Sequence, residues 1–138
     1  MIKKCYPDVG FRMFVQTKDH SSIDRLSPAF LAYIGDAVYE LYVRTAYLLP
    51  PRKLADYHNQ VVAQVRAETQ AAALQQLQPY LTETEKDIVR RGRNATNSHP
   101  RRLKPEVYQQ ATSLETLIGY LYLQDSQRLN EILRNLVK

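Results

Sequence analysis

Two acidic side chains of this chain stand where acidic side chains are costly. The segment AFLAYIGDAVYELYVRTAYLL, residues 29–49, is apolar around nearly its whole circumference when wound as a helix, and such a helix is buried on most sides. Its charges are Asp36, Glu40 and Arg44; spaced by four, they form one stripe, which Ala32 opens a turn earlier. The segment PEVYQQATSLETLIGYLYLQ, residues 105–124, repeats the arrangement, with Glu115 as the sole charge between Glu106 and Asp125. Gly35 precedes Asp36, and Gly119 follows Glu115 by one turn. Glycine inside a helix costs about 1 kcal/mol relative to alanine, so a glycine beside each acid points to close approach of another backbone. Helices packed at those glycines would bring Asp36 and Glu115 together. An unpaired carboxylate out of water protonates, pairs or binds a cation. A hard divalent ion such as Mg²⁺ takes oxygen ligands and keeps waters for a phosphate substrate. The chemistry open to such a pair is metal-assisted phosphodiester hydrolysis. The competing reading is a structural ion pair or a polar interface; for Glu40 it is the stronger, since Arg44 lies at i,i+4.

A second feature suits the same substrate class. The net charge is +5, and from Ile88 to Pro105 there are six basic residues and no acidic one, so the rest of the chain is close to neutral. A local patch of this kind attracts polyanions; the bland alternative is a solvated, arginine-rich loop. In RRGRNATNSHPRRLK, arginine forks match phosphates, and amides or hydroxyls match riboses. The candidate contacts to such a polyanion are Arg90, Arg91, Arg93, Asn94, Arg101, Arg102 and Lys104, which become the RNA-binding residues under the resemblance described below. Arg90 and Arg91 also close a helix and favour its dipole, which gives one of them a structural reading. His58 and His99 read as satisfied histidines before phosphate contacts. Most of the ten tyrosines fall on the two apolar helices, where packing with a wet hydroxyl is expected rather than base stacking.

The elements that must position these groups read as helices throughout, with no convincing strand alternation, so the fold class is all-α. Ser27-Pro28 opens the first helix, which runs to about Leu48 and stops before Pro50-Pro51. A second helical region covers 52 to 77, with a break expected near His58. Thr82 to Glu85 spells a capping box that opens a third helix through about Arg91, with Gly92 placed to end it. Residues 94 to 104 read as a loop, Pro105 opens a helix to about Gln124, and Ser126 caps a last one. Residues 1–25 read as an extension and 26–138 as one domain, small enough for oligomerisation to help its stability. A single cysteine, Cys5, leaves no intrachain disulfide and suits a reducing compartment. No apolar run approaches the ~20 residues of a membrane span, and the N-terminus lacks the apolar core of a signal peptide. The expectation is therefore cytoplasmic, with no membrane partner.

Leu31 to Tyr39, LAYIGDAVY, resembles the signature of the ribonuclease III family, and Glu115 to Leu123, ETLIGYLYL, is similar to that family's second acidic motif. Between them, VAQVRAETQAAAL and RRGRNA resemble the branch that consists of the catalytic domain alone, and Tyr108, Ala111 and Thr112 fit it too. The resemblance covers about Leu26 to Lys138. It implies an all-helical ribonuclease III domain working as a homodimer with one centre per subunit. It implies Mg²⁺-dependent hydrolysis of double-stranded RNA, with Mn²⁺ as substitute, leaving 5′-phosphate and 3′-hydroxyl ends. Asp36 and Glu115 match the family's central catalytic, metal-binding carboxylates. The implied substrate is precursor large-subunit (23S) ribosomal RNA, with a ribosomal protein as candidate assistant in cleavage. Full-length members carry two further acids where this chain has Ala32 and Thr112; the catalytic-domain branch also lacks them. With 15 residues after Leu123 and no appended RNA-binding domain expected, the catalytic domain must hold RNA itself, by shape and by 2′-hydroxyl and phosphate contacts. Two other readings are a non-cleaving RNA-binding module of the same fold and a helical adaptor. Neither accounts as well for acids set beside glycines in apolar helices.

Overall fold

A computed structural model of the chain describes residues 20–96 and 98–137. The described residues form helices and one short 3-10 turn: α1 His20–Asp24, α2 Pro28–Ala46, α3 Leu54–Val65, α4 Ala67–Leu77, the turn Gln78–Tyr80, α5 Glu83–Asn94, α6 Pro105–Gln124 and α7 Ser126–Leu136. The all-α expectation holds. Of the extension expected over residues 1–25, residues 1–19 lie outside the described residues; its last part is α1, which packs on α6 with Ile23 buried.

Helix α6 is the hub, touching α1, α2, α4, α5 and α7. Its Leu114, Leu117 and Ile118 are fully buried, as are Val43, Leu129 and Leu133 from the helices around it. Burying an aliphatic side chain of this size contributes about 1.5–3 kcal/mol. A central helix can carry contacts on so many sides because its own polar groups are absorbed locally. Ser113 and Thr116, both buried, donate their hydroxyls to the carbonyls of Gln109 and Thr112 at 2.7 Å.

Four local expectations need correction. The break in the second helical region falls at Arg66, in extended conformation, and His58 lies inside α3. The orphan carbonyls at the end of α3 draw side chains from the next helix: Thr69 Oγ1 donates to the Ala63 carbonyl at 2.6 Å and Gln70 Nε2 to that of Val65 at 2.7 Å, as a helix end requires. Gly92 does not terminate α5 but sits buried within it. A Cβ there would meet Thr116 Oγ1 at 2.7 Å and the Ser113 Cα at 3.1 Å, so the glycine serves the seam with α6. The cap of α7 is Asp125, whose carboxylate accepts from the Arg128 backbone N–H at 3.1 Å, not Ser126. His58 and His99 are both exposed, so neither is a satisfied core histidine.

The Thr82–Glu85 capping box forms as the sequence predicts, with the reciprocal bonds at 3.2 and 2.9 Å. Glu40 pairs with Arg44 at 2.6 Å. Tyr39 and Tyr42 are buried, whereas Tyr33 is 86% exposed.

Candidate active site

Helices α2 and α6 cross in direct backbone contact. A Cβ on Gly35 would lie 1.8 Å from the Glu115 carbonyl oxygen, and one on Gly119 would lie 1.9 Å from the Leu31 carbonyl oxygen. Neither position can hold a side chain without forcing the helices apart. The two glycines thus set the spacing of the seam, and the residues beside them, Asp36 and Glu115, open into the same cleft of about 310 Å³. Its walls include Ala32 and Tyr33 from α2, Gly92 from α5, Thr96 and Ser98 from the following segment, and Tyr108 and Thr112 from α6.

Glu115 is half-buried, whereas Asp36, expected on a helix buried on most sides, is exposed at the cleft. Glu115 has its pKa pushed up to about 7, first by loss of solvent and then by the charge of Asp36; a hydrogen bond from Gln70 opposes the shift. The Asp36 carboxyl is also raised, by burial and by the charge of Glu40. Among the described residues no arginine, lysine or histidine forms an ion pair with either acid. Nor do the described residues contain a cluster of three or more acidic, histidine or cysteine side chains placed for a metal. What the cleft offers is two carboxylates at raised pKa, with Ala32 and Thr112 on the same wall. That donor set fits a hard divalent cation that completes its shell with water and substrate oxygens.

None of the basic candidates lines this cleft. Arg90 and Arg91 are exposed near the end of α5, and Arg90 is paired with Asp87. Arg91 acts at Tyr120, whose pKa is raised by burial and by Asp24 while Arg91 lowers it. Arg93 and Asn94 are exposed in the last turn of α5, and Arg101, Arg102 and Lys104 are exposed before α6. Arg102 acts toward α4: the Glu68 carboxyl is held low by its own backbone N–H and by Arg66, with Arg102 the smallest contributor. A smaller pocket of about 150 Å³, lined by Thr96, Ser98, His99, Pro105, Tyr108 and Gln109, adjoins the cleft through their shared residues.

Gln70 was not singled out by the sequence, which placed it only within the second helical region. It is 2% exposed, and its spacing from Leu74 and Leu77 puts an amide on the apolar stripe of α4. A polar residue on a core-facing stripe is a signal the sequence does contain.

Residues 29–126 match the Ribonuclease III domain family, which fits the all-helical fold. The chain is 60% identical over 115 residues to Mini-ribonuclease 3 of Synechocystis sp., covering 83% of this chain and 80% of that protein. It is 52% identical to Mini-ribonuclease 3 of Synechococcus sp., covering 90% and 96% of the two chains. A crystal structure of a Fusobacterium nucleatum protein superposes with a TM-score of 0.74 at 31% identity, over 78% of this chain and 90% of that one. The chain belongs to the ribonuclease III family, on its Mini-ribonuclease 3 branch, and is an endoribonuclease. The family acts on double-stranded RNA and generally uses divalent metal ions.

Proposed function

We propose that this chain is a Mg²⁺-dependent endoribonuclease of double-stranded RNA in which Asp36 and Glu115 are the catalytic, metal-holding carboxylates, Mn²⁺ serving as a substitute. The observation that carries this reading is the shared cleft. A half-buried Glu115 and an exposed Asp36, from two helices in direct backbone contact, face one opening, and neither forms an ion pair with a cation among the described residues. When bound there, the ion supplies an activated water and positive charge at the scissile phosphate. Gly35 and Gly119 set the close approach of the two helices from which Asp36 and Glu115 would hold it. Thr112 and Ala32 leave room on the wall for water where a larger donor set would fill it. Arg91, Arg93, Asn94, Arg101, Arg102 and Lys104 hold the duplex by its phosphates and riboses beside the cleft, with Arg90 a weaker contributor because of Asp87.

The products are 5′-phosphate and 3′-hydroxyl ends, and the substrate is precursor 23S ribosomal RNA in the cytoplasm, cut with a ribosomal protein as assistant. Kinship with the Mini-ribonuclease 3 proteins supports this part of the reading. Among the described residues no helix is long and apolar enough to cross a membrane.

The working form is a homodimer. On one side of α2 and just beyond it, Phe30, Tyr33, Leu41, Leu48 and Leu49 are 45–86% exposed, an apolar face of the kind that marks an interaction site. Tyr33 belongs to both this face and the cleft wall, so a second subunit seated on the face borders the cleft. The test is incubation of the purified chain with long duplex RNA with and without Mg²⁺, followed by end analysis. Products bearing 5′-phosphates only with the metal are expected; metal-independent cleavage, or none with any divalent ion, overturns the assignment.

A further inference from the structure

We propose that the pocket of about 150 Å³ beside the acid cleft is a ribose subsite, in which Tyr108 and its neighbours bind a 2′-hydroxyl of the substrate duplex and so tell RNA from DNA. This deepens the reading of the cleft as the place where duplex RNA is cut, and it rests on that reading.

Helix register gives the position. Tyr108, Thr112 and Glu115 follow one another at four and three residues along α6, so they share a face, and all three line the cleft. Tyr108 stands two turns before Glu115, about 10 Å along the helix axis. It also walls the smaller pocket, together with Thr96, Ser98, His99, Pro105 and Gln109. Thr96 and Ser98 border both spaces as well. A strand whose phosphate lies at Asp36 and Glu115 therefore brings a nearby sugar to the pocket.

The lining selects the ligand. It holds no arginine, lysine or carboxylate; its polar groups are three hydroxyls, an imidazole and an amide. Thr96 Oγ1 donates to the Gly92 carbonyl at 3.0 Å, which leaves its lone pairs to accept. The side chains of Ser98, His99, Tyr108 and Gln109 form no hydrogen bond or ion pair among the described residues. A neutral wall that both donates and accepts suits a hydroxyl, whereas a phosphate is matched by arginine forks. A base would have to leave the stack to enter. The 2′-hydroxyls need no such opening, because A-form RNA displays them in its wide, shallow groove. Deoxyribose would leave the same polar groups without a partner, which is how a hydrogen-bonding site rejects an analogue lacking the hydroxyl.

The test is a thermodynamic cycle in EDTA, where binding is read without metal-dependent cleavage. The full chain and its Tyr108→Phe variant are titrated with two duplexes of one sequence, the first all-ribose RNA and the second bearing 2′-fluorine in place of every 2′-hydroxyl. Fluorine keeps the A-form sugar pucker but cannot donate a hydrogen bond. Low salt keeps the phosphate contacts strong enough to hold both duplexes. Tyr108→Phe should weaken binding of the ribose duplex by about 3–10-fold and leave that of the fluorinated duplex unchanged. Ser98→Ala should show the same pattern, and it decides the matter should the phenylalanine variant fail to fold. Arg101→Ala, which removes a phosphate contact, should lower both affinities alike. Equal losses on the two duplexes for Tyr108→Phe and Ser98→Ala, or native affinity for both, overturn the proposal. Cleavage of the ribose duplex by the native chain with Mg²⁺, measured alongside, keeps the two levels apart. Cleavage without coupling in the cycle rejects the subsite alone; coupling without cleavage keeps the ribose contact and rejects the nuclease reading.

Discussion

Glu85 and Glu115 sit on neighbouring helices, both withdrawn from water, and they answer that burial in opposite ways. Glu85, 4% exposed, receives a bidentate fork from Arg128 at 2.9 and 3.0 Å and the Thr82 backbone N–H at 2.9 Å. Arg128 is itself braced by the Tyr80 carbonyl and by Glu131. Burial pushes the Glu85 carboxyl up, but Arg128 and Thr82 together outweigh it, and the net pKa is lowered. Glu115 has one neutral amide and a like-charged neighbour, and its pKa is pushed up to about 7. Burial of an acid is common to the two places, so burial does not mark a functional site. What separates them is the donor set: one acid is already paired as part of the fold, and the other has no cationic partner among the described residues.

The largest effect expected from this contrast is on cleavage. Asp36→Asn and Glu115→Gln should each lower the rate on duplex RNA by on the order of 10³-fold or more, with the circular dichroism spectrum unchanged. Glu85→Gln should cut at the native rate per folded molecule. Normal rates in both cleft variants would remove the distinction drawn here.

Stability should respond in the reverse order. Removing one partner of a buried ion pair leaves the other uncompensated and costs about 3–5 kcal/mol. Arg128→Met should therefore shift the urea midpoint down strongly. Glu115→Gln at pH 8 in EDTA should leave it unchanged or raise it, because an unrelieved charge has been taken away. Equal losses in the two variants would show that Glu115 is also a structural acid.

The pH dependence follows from the same pKa values, and the two acids carry opposite signs. A carboxyl whose folded pKa is raised keeps its proton in the native state after the unfolded chain has lost it. Between the ordinary 4.5 and about 7 for Glu115, the metal-free protein should therefore lose stability as pH rises, by up to about 3 kcal/mol. Glu85, lowered instead, contributes stability above the ordinary carboxyl range and loses it as pH falls through its folded value. Melting curves in EDTA from pH 4.5 to 8 should show the decline, and Glu115→Gln should flatten it. Added Mg²⁺ should raise the melting temperature more at pH 8 than at pH 5, since only the ionised site attracts it.

Much of this contrast can be read from the residues before any coordinates. Asp36 and Glu115 stand out because each is a lone charge on an apolar helix with a glycine nearby, and the structure brings them into one cleft through those glycines. The Thr82–Glu85 capping box was equally legible, being a local pattern with local bonds. Glu85's other partner was not, because Arg128 is 43 residues away and long-range pairing leaves no mark in spacing. Gly92 was misplaced for a related reason. Glycine near the end of a helical stretch suits a terminator and a helix–helix seam alike, and only Thr116 against it decides for the seam. The break at Arg66 depended on Thr69 and Gln70 turning back to the carbonyls of α3, a contact that helix propensity does not encode. Gln70 itself could have been flagged by its place on the stripe with Leu74 and Leu77, but not its reach to a residue on another helix.

The smallest effect carries the comparison from the acids to the basic residues. Arg90 is already paired with Asp87, as Glu85 is with Arg128, whereas Arg101 is exposed and forms no ion pair among the described residues. A cation that neutralises a phosphate releases counterions, so its removal should reduce the slope of log affinity against log salt by about 1. Binding of duplex RNA, measured across a salt series without divalent metal, should show that reduction for Arg101→Ala. Arg90→Ala should give a smaller one, because losing Arg90 also frees the negative charge of Asp87. Equal slopes for the two variants would mean that the Asp87 pair opens when RNA arrives. An unchanged slope for Arg101→Ala would move the RNA path away from the segment that precedes α6.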